Sequence, residues 1–455
     1  MTECKTMMMK TAITAMCLLI WAITPAMGWE GEESLAELVL EAMENNAEIR
    51  ADREVVQGLL DASEYAGALP NPKIGVGLLN VPTGSFDLDQ EAMTQKQISV
   101  TQRLPWPGKR GLAAESRLLA ARRAEAGLKA KALALQREVA GAYYELWFVT
   151  ESLHLNGELY DLVNQLIHAS ASRYGAGREV QQAVLTGELE LSGLTNERLA
   201  LDGKRRGLEI RINRLLQRDA HLPVSPETGL ALPQLRLSTS WMAQAEKGNP
   251  RLEVLKHDVA LSRVSLSLAE KESMPDVDVK LAYGQREDDP MGNNRDDFVS
   301  LSASFPVPVW KSRREDRLVA SRRATERAAL LNYEGYRLEL PHLIDGVATQ
   351  MATAVERHEF YNRDLVPRAR QLSQALVSRY EVGGSSYTDM IEAAMAAMRA
   401  ELTARQYLRD ALLAEVKLME LAGGTFPGVA PLMHAGAENV PSDSDPTRTK
   451  SNQGE

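Results

Sequence analysis

The chain has 455 residues, of which 44% are hydrophobic and 25% charged, a composition that folds rather than stays disordered. Lys and Arg number 52 against 62 Asp and Glu, a formal charge of −10 that argues against a nucleic-acid binder. Aromatics are only 5% while Ala and Leu recur throughout, which favours long helices, and after residue 28 no apolar run is long enough for a transmembrane helix.

Residues 1–28 read as a secretory signal peptide. Lys5 and Lys10 form its positive end, Thr11 to Ile23 its apolar core, and Ala26-Met27-Gly28 a small-x-small cleavage site. Both cysteines, Cys4 and Cys17, lie inside it. Disulfides, thiolate catalysis and Cys-ligated metal are therefore not expected in the mature chain. Cys17 is followed by more apolar core, a poor lipidation site, so no lipid anchor is expected.

From residue 29 the same order of segments occurs twice. Asn46-Ala47-Glu48-Ile49-Arg50 opens the first helix of one half, and Asn249-Pro250-Arg251-Leu252-Glu253 that of the other. These helices end at Pro70 and Pro275, two period-two segments follow, and then a proline-basic corner, Leu104 to Arg110 or Phe305 to Lys311. A very long helical stretch comes next. It breaks at Arg173-Tyr174-Gly175-Ala176-Gly177 or Arg379-Tyr380-Glu381-Val382-Gly383, and a helix returns. Four landmarks (Asn46, Pro70, Pro105 and Arg173) recur at offsets of 203, 205, 201 and 206. That regularity predicts one pseudo-symmetric body, with repeats at 29–222 and 241–422, a proline-containing linker at 223–240 forming an outer belt, and a mobile tail at 423–455.

The period-two segments are predicted strands of about 9–10 residues, the length that spans a bilayer when tilted. Ile74, Val76 and Leu78 share a face, as do Ile98, Val100 and Leu104, then Val277, Val279, Leu281 and Tyr283, then Val299, Leu301, Ala303 and Phe305. A soluble sheet with one face on a core is the alternative, but four matched segments, two per repeat, favour a membrane barrel. Four strands cannot close one without leaving backbone groups unpaired in lipid. Two copies of the chain would give eight strands and three would give twelve; strand arithmetic leaves that choice open.

The helical stretches at about 109–172 and 312–378 would each reach roughly 95–100 Å. Pro341 and Pro367 are expected to bend or break the second. Return helices are expected at 179–218 and 385–422. Arg117, Arg122, Arg123, Arg322, Arg323 and Arg327 are interleaved with Glu115, Glu125, Glu138, Glu315 and Glu326, so they read as solvated faces. Narrow apolar stripes suit helices packed side by side as a wall.

No catalytic, cofactor or metal site is expected. The seven histidines are scattered without an H-x-x-x-H pair. Gly75-Val76-Gly77 lacks a third glycine, and Gly108-Lys109-Arg110 lacks the rest of a phosphate loop. Met390, Met395 and Met398 stand at helical spacing and read as packing. The acidic loops at 83–94 and 285–297 are expected to face outside the cell, with Asp288, Asp289, Asp296 and Asp297 as solvated charge.

On the corner Gln102 to Arg110, the doubled strand-strand-helix-hairpin order and the two hairpin turns, nearly all of the mature chain resembles the TolC family of outer-membrane efflux channels. The corner and Arg173-Tyr174-x-x-Gly177 followed by Gln181-Gln182-x-x-Leu185 are most similar to members encoded with heavy-metal pumps (CusC- and CzcC-like). The resemblance implies a mostly α protein with a small membrane β part. In it a homotrimer completes a 12-stranded barrel on a long periplasmic α-helical barrel. It implies an outer-membrane location in contact with lipid, no enzyme activity, a periplasmic adaptor and an inner-membrane pump of the RND type. Tyr174, Gly177, Tyr380 and Gly383 would be adaptor-docking hairpin tips. Asp389 and Glu392 match places where acidic residues ring the tunnel mouth. At i, i+3 they share a helix face, so three copies would gather six carboxylates; as an alternative, Asp389 is an ordinary acid of a first helical turn. Ala183 stands at the corresponding place of the first hairpin, which departs from that pattern. The expected function is a passive exit duct, with heavy-metal cations as the expected cargo. Its rivals are the same duct for drug or protein export, and a periplasmic coiled-coil adaptor, which would carry one hairpin rather than two.

Overall fold

The structure, a computed structural model, describes residues 32–177 and 180–424. The expected signal peptide and all but the first two residues of the expected tail lie outside the described residues. Two short helices, α1 (Leu35–Asn45) and α2 (Ala47–Gly67), lead to strands β1 (Lys73–Leu79) and β2 (Gln95–Leu104). The long α3 (Lys109–Gly175) and its return α4 (Gln181–Leu216) follow. The same order then recurs: α5 (Ser238–Gly248), α6 (Pro250–Lys271), β3 (Val277–Gln285), β4 (Phe298–Ser304), α7 (Glu315–Phe360), a π-helical segment (Tyr361–Leu365), α8 (Val366–Glu381) and α9 (Tyr387–Ala422).

Asn46 and Asn249 do not open the first helix of each half, because α1 and α5 precede them. Each asparagine is at once the C-cap of the short helix and the N-cap of the next, with φ −63° and ψ 114° at both sites. The extended backbone breaks the helix, and the side-chain oxygen restarts it by accepting N–H groups of the next turn. Asn46 Oδ1 accepts from Glu48 N at 2.9 Å, and Asn249 Oδ1 from Leu252 N at 2.7 Å. Pro250 sits at the start of α6, where a missing N–H costs nothing. α1 itself begins with a capping box between Ser34 and Glu37.

The strands form one antiparallel sheet in the order β1-β2-β3-β4. They have 7, 10, 9 and 7 residues. The edge strands fall short of the expected length because each is laddered on one side alone. Ile74 and Val76 oppose Val100 and Ile98, these oppose Leu281 and Tyr283, and these oppose Leu301 and Val299. Opposed residues share a face, so the four apolar sets merge into one.

α3 runs 67 residues without a break, about 100 Å. The second rod, 315–381, behaves differently from expectation at one of its two prolines. α7 continues through Pro341. Pro367 is preceded by the π segment, which contains Arg363, the residue whose carbonyl a proline ring at 367 would crowd in a regular helix. No described helix is long and apolar enough to cross a membrane.

Side chains between the rods form clusters at two levels. At mid-height, α1 sets Leu38, Val39, Ala42 and Met43 against Val139, Tyr143 and Leu146 of α3 and Ile212 and Leu216 of α4. The segment after α4 returns to this level. Its Val224 is buried there, and the Tyr143 hydroxyl donates to Glu33 O at 3.0 Å and accepts from Glu227 N at 2.8 Å. On the other half, Trp241 of α5 packs with Tyr336, Ile344 and Met351 of α7 and Leu418 of α9. At the far end from the sheet, Leu159, Val163 and Leu166 of α3 meet Tyr380 of α8 and Tyr387, Met390 and Ile391 of α9.

Candidate functional site

Two regions stand out, the sheet and the opposite end of the rods. The apolar face of the sheet is uncovered: Val76 is 81% exposed and Leu301 74%. A soluble sheet of this size hides such a face on a core. The outer edges of β1 and β4 have no strand beside them among the described residues.

The sheet meets the helices at a closed corner. Lys109 follows the turn Pro105 to Gly108, where Gly108 takes φ +87°. Its buried ammonium donates to Asp276 Oδ1 at 2.9 Å and Met274 O at 2.8 Å. Asp276 also accepts from Trp106 N at 2.9 Å. Burial alone would raise the Asp276 carboxyl, but the Trp106 N–H and the Lys109 ammonium hold it below its ordinary value. The second proline corner has no such latch: Phe305, Val307, Val309 and Trp310 are exposed.

At the loop end of the sheet the acids serve their own loops. Asp289 accepts from Met291 N at 2.9 Å, Asn293 N at 2.8 Å and Asn293 Nδ2 at 2.7 Å. Asp297 accepts from the Tyr283 hydroxyl and from Arg286 N. Arg286 and Arg295 donate to carbonyls of Ala92 and Asp89, which ties the two loops together.

At the tips, Gly177 and Gly383 take φ +69° and +80°. Gly383 N bonds Tyr380 O at 2.9 Å and Gly384 N bonds Arg379 O at 2.7 Å, which ends α8 in a Schellman motif. Gly177 N bonds Tyr174 O at 2.9 Å in the same way. Both glycines thus occupy left-handed positions that other residues rarely adopt.

The two tip tyrosines are placed differently. Tyr174 is 48% exposed, while Tyr380 is 2% exposed. The Tyr380 and Ser170 hydroxyls are 2.6 Å apart, and the Arg173 guanidinium lies 4.7 Å from the Tyr380 ring centroid and donates to its carbonyl. Tyr380, expected among the docking-tip residues, therefore ties one hairpin to the other with its side chain buried in the tip cluster. Val382, the N-cap residue Val180 and, on α4, Leu185 and Leu189 are exposed near the tips. Val382 and Leu185 stand in the tip motifs read from the sequence; Val180 and Leu189 were not singled out, although Leu185 and Leu189, at i and i+4, form an apolar pair on one face.

Asp389 and Glu392 are both exposed, on the side of α9 away from buried Met390, Ile391 and Ala394. Asp389 also closes a capping box: Ser386 Oγ accepts from Asp389 N at 3.1 Å, and Asp389 Oδ2 accepts from Ser386 N at 3.3 Å. Ala183 is buried in the tip cluster.

Residues 241–424 match the family model described as Outer membrane efflux protein. No curated protein matches the chain by sequence. Solved structures with the same fold include the outer-membrane channel OprN, 17% identical over 86% of this chain and 90% of that one, with a TM-score of 0.72. VceC, an outer membrane protein from Vibrio cholerae, is 16% identical over 86% of this chain and 97% of its own, also at 0.72. CusC is 15% identical over 89% and 96%, at 0.71. The chain thus has the fold of these outer-membrane channels, and its second half carries the sequence pattern of the outer membrane efflux protein family.

Proposed function

We propose that the chain is the protomer of an outer-membrane exit duct. Three copies join edge to edge, β4 of one to β1 of the next, into a 12-stranded barrel, and their paired helices continue it as a periplasmic tunnel. The observation that carries this reading is the sheet: among the described residues its apolar face is uncovered and both its edges are open. In lipid such edges cost several kcal/mol per unpaired backbone group, and identical neighbours remove them. The doubled element order supports the reading, since each half supplies one hairpin of strands and one of helices. The duct has no catalytic step, so an inner-membrane pump of the RND type, reached through a periplasmic adaptor at the tips, supplies the energy.

For cargo we propose metal cations, on the strength of the corner sequence and the exposed pair Asp389 and Glu392. Three copies would set six carboxylates around one mouth. OprN, VceC and CusC are alike in similarity, so the fold does not distinguish cargoes.

Outer-membrane fractionation with heat-modifiable migration tests the duct, and native mass measurement tests the copy number. Recovery as a soluble periplasmic monomer would overturn both. Asp389→Asn with Glu392→Gln is expected to lower cation selectivity in planar bilayers, and unchanged selectivity would remove the mouth assignment.

A further inference from the structure

The polar face of the sheet carries an unbalanced charge. The register sets Lys73, Thr101, Lys280 and Ser302 in one row across the four strands. The next row toward the helices holds Arg103, Asp278 and Ser304. Toward the loops come Gly75, Ser99, Ala282 and Ser300, then Gly77, Gln97, Gly284 and Phe298. The charged residues of this strand face are therefore Lys73, Arg103, Asp278 and Lys280. Arg103 Nε and Asp278 Oδ1 pair at 2.9 Å. Lys280 Nζ reaches a neutral group, Gln97 Oε1, at 3.5 Å. The pairing of Arg103 with Asp278 leaves the two lysines as the net charge of the face.

We propose that in the assembled barrel this row is a ring of six lysines that forms a binding site for polyvalent anions. The inference rests on the trimeric barrel: the uncovered apolar face meets lipid, so the face with Lys73 and Lys280 meets the lumen. Strand spacing and tilt give a 12-stranded barrel a backbone radius of about 12 Å. The row beside the lysines on the loop side is built from Gly75, Ser99, Ala282 and Ser300; Lys73 is exposed beside it, and Lys280, half-buried, reaches along it to Gln97. Their ammonium groups then lie within about one Debye length, ~8 Å, of the axis, and the potential spans the lumen. Rings of like charge are how pores favour ions of opposite sign. Solutes bearing several phosphates or carboxylates gain most, since each added charge meets another ammonium. The ring would thus be an anion site in the barrel, at the opposite end of the duct from the acidic mouth.

Calorimetric titration of the detergent-solubilised protein with inorganic triphosphate tests this. The expected result is one site per trimer, at least about tenfold weaker in Lys73→Gln with Lys280→Gln and kept in Lys73→Arg with Lys280→Arg. Native mass of each variant reports its assembly. A trimeric wild type that does not bind triphosphate overturns the ring, as does binding undiminished in the glutamine variant. A monomeric wild type overturns the barrel reading, and the ring with it.

Discussion

The ammonium of Lys109, at the start of α3, lies 2.9 Å from the carboxylate of Asp276, just ahead of β3. One ion pair thus joins the outgoing corner of the first half to the incoming loop of the second, where sheet and helices meet. The pair is partly buried, so removing one partner leaves the other unmatched. Asp276→Asn is expected to cost about 1–3 kcal/mol at neutral pH. Because Asp276 is held below its ordinary value of 3.8, its contribution is present above that value and fades as pH falls through the folded one. Thermal melts of the two proteins should therefore converge below about pH 3.8. A gap that persists in acid would show that the carboxylate charge is not what matters.

Tyr380 gives the second prediction. Its hydroxyl meets Ser170, which is fully buried. Tyr380→Phe strands that serine, at about 1–3 kcal/mol. The loss should be local, seen as faster amide exchange around 170–177 and 380–387 with the mid-height helices unaffected. Uniform exchange changes along the rods would contradict a lock confined to the tip.

Much of this architecture is legible in the sequence because few physical rules govern it. A strand with one apolar face must alternate strictly, and Ile98, Val100 and Leu281 do. A helix with no internal proline runs on, as α3 does through Gly111, Gly127, Gly141 and Gly157. The short α1 escaped notice although Ser34-x-x-Glu37 announces it, because the asparagine that follows is itself a strong helix start. Tyr174 and Tyr380 stand in matching Arg-Tyr-x-x-Gly segments, yet one is exposed and the other buried. The π segment at Tyr361–Leu365 changes the phase of α8 relative to α7, and α3 has no such insertion. A motif read without that phase cannot tell which ring turns inward. The lysine row was equally hidden, since opposed residues are known only once the register is.

Glu415 provides a test with the opposite sign. It lies on α9 at the level of Tyr144, and burial raises its carboxyl above the ordinary 4.5, against a smaller opposing pull from Arg236. A raised acid favours the folded state when protonated, so its charge destabilises as pH rises from 4.5 through the folded value. Glu415→Gln should raise the melting temperature at pH 7 and leave it unchanged near pH 4. A variant that melts lower at pH 7 would mean the carboxylate has a favourable partner there.

The tip contains one further tension, between Gly187 of α4 and Tyr387 of α9. A side chain at Gly187 would overlap both the Tyr387 hydroxyl and Ile167. The Tyr387 hydroxyl is buried without a hydrogen-bond partner among the described residues, and burial pushes its pKa up to about 12. A buried hydroxyl with nothing to bond costs stability, so Tyr387→Phe is expected to be neutral or stabilising by up to about 1 kcal/mol. Gly187→Ala should destabilise by about 1–3 kcal/mol through overpacking. The double variant should recover part of that loss, because removing the oxygen vacates some of the space the new methyl needs. Denaturation of all four proteins closes a double-mutant cycle. Strict additivity would mean that Ile167, not the tyrosine, sets the limit on what residue 187 can be.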